Sequence, residues 1–216
     1  PPTVQLASSR PCCITTRGLF PALAEPERWL PLLKAHLAYI AEAGEHTRVT
    51  AVAPDDAIQR QYAESLEIAR IASEAASGTP RLVVDVGSGG GFPGMVMAVV
   101  MRRTDVVLVE PLKKRAALLA IAAEELGLRN VRVEAVRAEE AGRGWLRDRA
   151  DVVTARAVAE VRELLEYTAP LARPGGILVL AKGSADVEEI AAADGALREL
   201  GCEVSGIVGM REAVSE

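Results

Sequence analysis

Val84-Asp85-Val86-Gly87-Ser88-Gly89-Gly90-Gly91-Phe92-Pro93-Gly94 sets an apolar run directly before five glycines within eight residues. A short run that is apolar throughout, rather than alternating, suits a strand buried on both faces of a parallel sheet. Glycine permits positive φ and lets a ligand approach the backbone with no Cβ in the way. Pro93 suits the first turn of a helix. The stretch therefore reads as strand, ligand-facing turn and helix. The plainer alternative is a tight strand–helix connection that holds nothing.

Outward from this stretch the same apolar runs recur at Leu82–Val86, Val106–Val109, Val131–Val136, Val152–Ala155 and Ile177–Ala181, with Cys202–Val208 as a sixth candidate. Helical spacing between them predicts helices over Gly94–Met101, Leu112–Leu126, Glu160–Ala169 and Val187–Leu200. This rhythm predicts an α/β fold, a doubly wound Rossmann-like sheet with helices on both faces. Upstream, Trp29, Leu33, Leu37 and Ile40 predict a helix over Pro26–Ala43. Ile58, Tyr62, Leu66 and Ala69 predict a second, starting near Pro54. The organisation expected is an N-terminal helical cap over 26–78 and a ligand-binding domain over 79–216. Residues 1–25 read as flexible or targeting-like, because the first 24 carry Arg10 and Arg17 but no acid.

The chain has 216 residues, half of them hydrophobic and a quarter charged, which is enough for one core and unlike a disordered chain. No apolar stretch reaches the roughly 18 residues of a membrane span. A formal net charge of −5 argues against holding nucleic acid through the overall field, and seven aromatics leave little for base stacking. Local basic patches remain. Lys113 and Lys114 open one helix, and Arg129, Arg132, Arg137, Arg143, Arg147 and Arg149 follow within a short span. Lys113, Lys114, Arg143 and Arg147 are candidates for tracking RNA phosphates beside the cleft, with a solvated face as the alternative. Cys12, Cys13 and Cys202 form neither a disulfide framework nor a metal pattern, and His36 and His46 read as ordinary helix or loop histidines. No metal is expected, and the compartment is a reducing one.

The glycine spacing is Asp-x-Gly-x-Gly-x-Gly, not the Gly-x-Gly-x-x-Gly of a pyrophosphate loop. Glu110, at the end of the second apolar run, can accept both hydroxyl hydrogen bonds of a ribose. A nucleoside without a pyrophosphate points to S-adenosylmethionine, ahead of a dinucleotide in an oxidoreductase. Glu139 follows the third strand and so lies at the carboxyl edge, where ligands bind. Arg156 sits between two alanines at a strand end. It can anchor a cofactor carboxylate or an RNA phosphate by a bidentate contact, or simply cap a helix.

Asp85–Gly94 (DVGSGGGFPG), Val109–Arg115 (VEPLKKR), Glu125-Leu126-Gly127-Leu128, Val136–Glu140 (VRAEE), Thr154-Ala155-Arg156-Ala157 and Pro174–Gly183 (PGGILVLAKG) carry a resemblance. Over about residues 28–205 the chain is similar to the bacterial small-subunit ribosomal RNA guanine-N7 methyltransferases of the glucose-inhibited division B type. The resemblance implies a class I methyltransferase fold that binds S-adenosyl-L-methionine and methylates N7 of a guanine in 16S-type ribosomal RNA. It implies that Asp85, Gly87, Gly89 and Phe92 serve the donor loop, with Gly87 and Phe92 lining the methionine and adenosine parts. Glu110 would hold the ribose, Ala138 and Glu139 would border the adenine, and Arg156 would be a positioning residue. No residue is assigned as catalytic. The expected partner is small-subunit ribosomal RNA or the small subunit itself, met by a monomer with no membrane contact. The setting would be the cytoplasm of a bacterium, or a mitochondrion or plastid if the N-terminal segment is a transit remnant. Other readings are a non-catalytic ribosome assembly factor and a small-molecule or protein methyltransferase on the same fold.

The chain departs from the family pattern in two places. The family's Asn-Leu-Thr, Arg-His and Asp-Ser correspond here to Arg48-Val49-Thr50, Arg60-Gln61 and Glu64-Ser65. The family's last antiparallel strand is missing after Glu216, which predicts an unpaired sheet edge.

Overall fold

The direction in which a chain steps across a parallel sheet decides which face its helices cover. The computed structural model describes residues 2–8, 13–14, 26–46, 58–156, 159–182, 187–209 and 212–213. Seven parallel strands form one sheet in the order β5 (Val131–Glu134), β4 (Asp105–Val109), β3 (Leu82–Val86), β6 (Ala150–Arg156), β7 (Ala172–Lys182), β1 (Thr3–Ser8) and β8 (Glu203–Gly209). A short parallel pair joins β2 (Cys13–Ile14) to β9 (Glu212–Ala213).

Helices α1 (Pro26–His46) and α2 (Glu64–Ala75) precede β3, with one π-type turn at Ile58–Ala63 leading into α2. From β3 the chain steps outward to β4 and β5 through α3 (Gly94–Val100) and α4 (Lys113–Glu125). It returns through α5 (Ala138–Ala141), α6 (Val161–Thr168), α7 (Val187–Ala192) and α8 (Asp194–Leu200). Residues alternate along each strand between the two faces. Val83, Val106, Leu108 and Val179 face one core, with residues of α1 to α4. Val84, Val107, Val109 and Leu178 face the other, with Leu164, Leu165 and Leu197.

The outward crossovers leave the β6–β7 half of the first face without a helix. α2 fills it, packing on β7 and α3, while α1 packs on α3 and α4. Leu33, Ile68, Ala69 and Ala72 belong to the same core as Val83, Leu108 and Ile177. Burial of each large side chain there is worth about 1.5–3 kcal/mol. The expected cap is thus a layer of the main core. α2 is buried on most sides and carries a buried ion pair, in which Arg70 donates to Glu67 through Nε (2.9 Å) and Nη2 (2.7 Å). Arg70 also donates to Glu74 at the exposed end.

The flexible or targeting reading of residues 1–25 needs correction at its start. Thr3–Ser8 is a strand between β7 and β8, parallel to both. It pairs with one side of β7, and Val4 is fully buried in the second core. Acid-free composition pointed to a tail, while the alternation Thr3-Val4-Gln5-Leu6 is that of a strand. Cys12 and the rest of that segment, apart from Cys13–Ile14, lie outside the described residues. The helix expected over Val187–Leu200 is two, broken at Ala193. There the Ala193 N–H is shared between the carbonyls of Glu189 and Ile190 before the poor helix former Gly195.

Candidate functional site

Strand order reverses between β3 and β6, and the helices that follow them run on opposite faces, which opens a crevice at the carboxyl ends of the strands. A cleft of about 150 Å³ lies there, with an apolar wall of Val86, Val109 and Pro111 and with Gly87, Arg137, Ala138, Glu139 and Tyr167 around it.

The turn after β3 passes through positive φ at Gly87 (74°), Gly89 (55°) and Gly91 (92°), a path that side chains resist. The Gly87 N–H donates to the Val109 carbonyl at 2.9 Å, which ties the turn to the end of β4. Glu110, almost wholly buried, accepts the Gly89 N–H on Oε2 and the Leu112 N–H on Oε1, both at 2.9 Å. One carboxylate thereby clasps the glycine turn to the approach of α4. A carboxylate has about four acceptor positions, so each oxygen keeps capacity for a further donor.

Asp85 lies underneath the turn and is fully buried. Thr154 Oγ1 donates to its Oδ1 at 2.8 Å and the Gly94 N–H to its Oδ2 at 3.1 Å. Burial pushes this carboxyl above its ordinary pKa, while Ser88, Thr154, the Gly94 amide and the Arg156 charge oppose the shift. A Cβ on Gly94 would stand 2.3 Å from Leu108 and 2.7 Å from Asp85 Oδ2, so packing demands this glycine. Asp85 braces the turn from behind and does not line the cleft.

Phe92 also turns away from the cleft. Its ring packs edge-on against Tyr62 (5.0 Å between centroids) and tilted against His36 (5.3 Å). Arg156 leaves the end of β6 with its guanidinium 5.6 Å from the Phe92 ring centre and Nη1 3.3 Å from Glu64 Oε2. The Phe92 ring anchors the turn into α1 and α2. Lys182, at the end of β7, donates to the Ala159 carbonyl (2.9 Å) and to Glu189 (2.7 Å).

A family model described as GidB, rRNA small subunit methyltransferase G, matches residues 30–215. The chain belongs to this family. Ribosomal RNA small subunit methyltransferase G of Sorangium cellulosum (strain So ce56) is 37% identical over 159 residues, covering 73% of this chain and 66% of that protein. The protein of the same name from Roseiflexus castenholzii is 45% identical over 130 residues, covering 60% and 56%. The chain thus spans less than two thirds of the length of these curated relatives. Among solved structures, an O-methyltransferase from Bacillus cereus in complex with SAH superposes with a TM-score of 0.54 at 16% identity, covering 76% of this chain and 79% of that one. Cofactor-bound Rv0187 from MTB gives 0.53 at 22% identity, covering 79% and 78%. At such identities the likeness concerns the fold, a class I methyltransferase sheet.

Family membership gives the two departures in α2 and its lead-in turn a structural meaning. Gln61 is buried, and its carbonyl accepts the Ser65 hydroxyl. Glu64, in place of the family's aspartate, is the partner of Arg156. Of the other expected site residues, Ala138 and Glu139 border the cleft, and Lys113 and Lys114 are exposed at the start of α4 on the same edge. The arginines do not form one rim. Arg137 borders the cleft, whereas Arg147, just before β6, lies at the amino edge beside Pro2 and Pro170. Arg143 is exposed after α5.

Sequence reading missed Tyr167, which reaches the cleft from α6, and it misjudged His36. The inward positions of α1 are Leu33, His36 and Ile40, one residue off the expected stripe through Leu37. His36 is fully buried. Its Nδ1 is 2.9 Å from the Tyr62 hydroxyl, and its Nε2 lies 3.2 Å from where a Cβ on Gly91 would sit. Burial lowers its pKa to about 4, opposed in part by the Gly90 backbone.

The unfolded chain therefore takes up a proton near pH 6.5 that the folded chain refuses until about pH 4. The stability His36 contributes is complete above 6.5 and is lost as pH falls through this window, by on the order of 3 kcal/mol. Asp85, shifted upward, acts in the opposite sense. The comparison is thus between the parent and His36→Asn, which retains Asp85 and an amide near Nδ1. Denaturant melts should show the parent losing stability more steeply from pH 7 to 4.5. Parallel profiles would mean that His36 is protonated in the folded protein.

Proposed function

We propose that the chain transfers a methyl group from S-adenosylmethionine to N7 of a guanine in small-subunit ribosomal RNA. The family match over residues 30–215 carries this reading. The donor set at the cleft supports the cofactor. Glu139 offers an acceptor at the cleft, and Val86, Val109 and Pro111 offer an apolar wall to a planar ring. Glu110, clasping the Gly89 and Leu112 amides beside it, keeps acceptor capacity for a ribose. A dinucleotide fits poorly, because the Gly94 N–H opening α3, where a pyrophosphate would rest, is already taken by Asp85.

When bound, S-adenosylmethionine supplies an electrophilic methyl group on its sulfonium. The chain's own task is to hold and orient. Guanine N7 presents a lone pair, so no proton has to leave before attack and no general base is required. His36 is sealed behind Gly91 and the Asp85 carboxylate is held by its donors. Arg156, fixed by Glu64 and Phe92, is the positioning candidate at the β6 end, and Lys113, Lys114 and Arg137 offer phosphate contacts on the cleft side. In A-form RNA the N7 edge faces a deep, narrow groove, so the target is a loop or unstacked guanine.

No helix among the described residues is long and apolar enough to cross a membrane. With ribosomal RNA as substrate, we place a monomer in the bacterial cytoplasm. Incubation with labelled donor should mark isolated small subunits or their RNA, with 7-methylguanosine as the labelled nucleoside after digestion. Label in metabolites or protein alone would reject this substrate, and no label in any fraction would favour a non-catalytic assembly factor.

A further inference from the structure

A hollow of about 560 Å³ lies away from the cleft. It opens at the opposite end of the sheet, where β3, β4 and β5 begin. Arg81, Arg129, Arg132, Arg149 and Arg173 converge on it together with Trp145. Against these five cations stand Asp105 and Asp151. Asp151 is spent on Arg173 (2.6 Å) and on the backbone N–H groups of Arg81 and Leu82. The side chains of Arg81, Arg129 and Arg149 make no ion pair among the described residues. Three unneutralised guanidinium groups on one concave surface stand out in a chain of net charge −5.

Trp145 adds a second, independent feature. It is 45% exposed, yet its ring is held in place. Its indole N–H donates to Glu134 at 3.1 Å, and the Arg132 guanidinium lies 4.4 Å from its ring centre, itself fixed by Glu134 at 2.7 Å. A rigid, half-exposed indole among guanidinium groups is the pairing that stacks an unpaired base and neutralises the phosphates on either side of it.

We propose that this amino-edge hollow is a second RNA-binding surface, which takes a single-stranded segment by its phosphates and stacks a base on Trp145. It deepens the reading of the chain as an RNA methyltransferase and rests on that reading for its partner. The hollow and the cleft are separated by the length of a five-residue strand such as β4, about 16 Å at roughly 3.3 Å per residue. One RNA strand running along the exposed edge of β5 reaches both, and each contact raises the effective concentration of the other. This gives an acidic protein local purchase on RNA that its overall field denies.

The test uses the full chain and a labelled, unstructured RNA of about 12 nucleotides, within the usual reach of a stacking groove. Arg129→Glu with Arg149→Glu should weaken binding at least about tenfold and flatten the log–log salt dependence by about 1.4, at roughly 0.7 per single-strand phosphate contact. Trp145→Ala should weaken binding with the salt slope unchanged. S-adenosylmethionine affinity and melting temperature should match the parent in both, so a misfolded variant is recognised. With Trp29→Phe, Trp145 is the remaining tryptophan, and its fluorescence should be quenched by the RNA. Parental affinity and slope in the charge variant would overturn the proposal. So would binding of polyglutamate as tight as that of RNA, which would make the surface a dock for acidic protein. None of these readouts needs methyl transfer, so binding can hold where the proposed activity fails, and the reverse.

Discussion

An RNA substrate carrying 7-deazaguanine at the target position should take up no methyl group, while the same RNA with guanine should be methylated. The deaza base keeps its shape and pairing but lacks the lone pair that N7 presents. The proposed reaction asks the chain for alignment alone, a contribution worth roughly 7–11 kcal/mol, and nothing it supplies can replace the missing nucleophile. Single-turnover rates on the guanine substrate should accordingly be nearly flat with pH around neutrality. Normal incorporation into the deaza substrate would place the acceptor at another atom. A rate rising steeply through neutral pH would demand a base that the present reading leaves out.

Glu110→Ala should cost donor affinity at least about a hundredfold by calorimetry. On the proposed reading two ribose hydroxyls would lose a charged acceptor, at about 1.5–3 kcal/mol each. The same substitution releases the Gly89 and Leu112 amides, so the turn loosens even before ligand arrives. Glu110→Gln separates the two effects. Its amide retains one acceptor oxygen for the turn but turns an NH₂ group toward the remaining donor, so it should bind the cofactor poorly while melting closer to the parent. Parental affinity in a folded Glu110→Ala protein would remove the ribose from this site.

Much of the fold is legible in the sequence because β3, β4, β6 and β7 are apolar on both faces, a pattern that local chemistry explains. The glycine turn and Glu110 are legible for the same reason, since backbone freedom and a strand-end acid are local properties. What escapes is set by distant partners. Phe92 sits among ligand-facing glycines in the sequence, yet its direction is decided by Tyr62 and His36, which arrive from helices far upstream. His36 was one position off the assumed inward stripe. The arginine run looks like a single patch along the chain, but β5 lies in its midst. Arg129 and Arg132 therefore stand at the amino edge and Arg137 at the carboxyl edge.

The place of β1 has a consequence for how the molecule is made. Thr3 pairs with Ile177 on one side and Glu203 on the other, so a strand far upstream in the chain waits for neighbours that come late in the sheet. Closing so wide a loop is entropically unfavourable and slow, and this part of the sheet is completed by inserting β1 between β7 and β8. Because β8 joins the sheet only through β1, those six residues act as a keystone: without them the sheet loses two strands and keeps five.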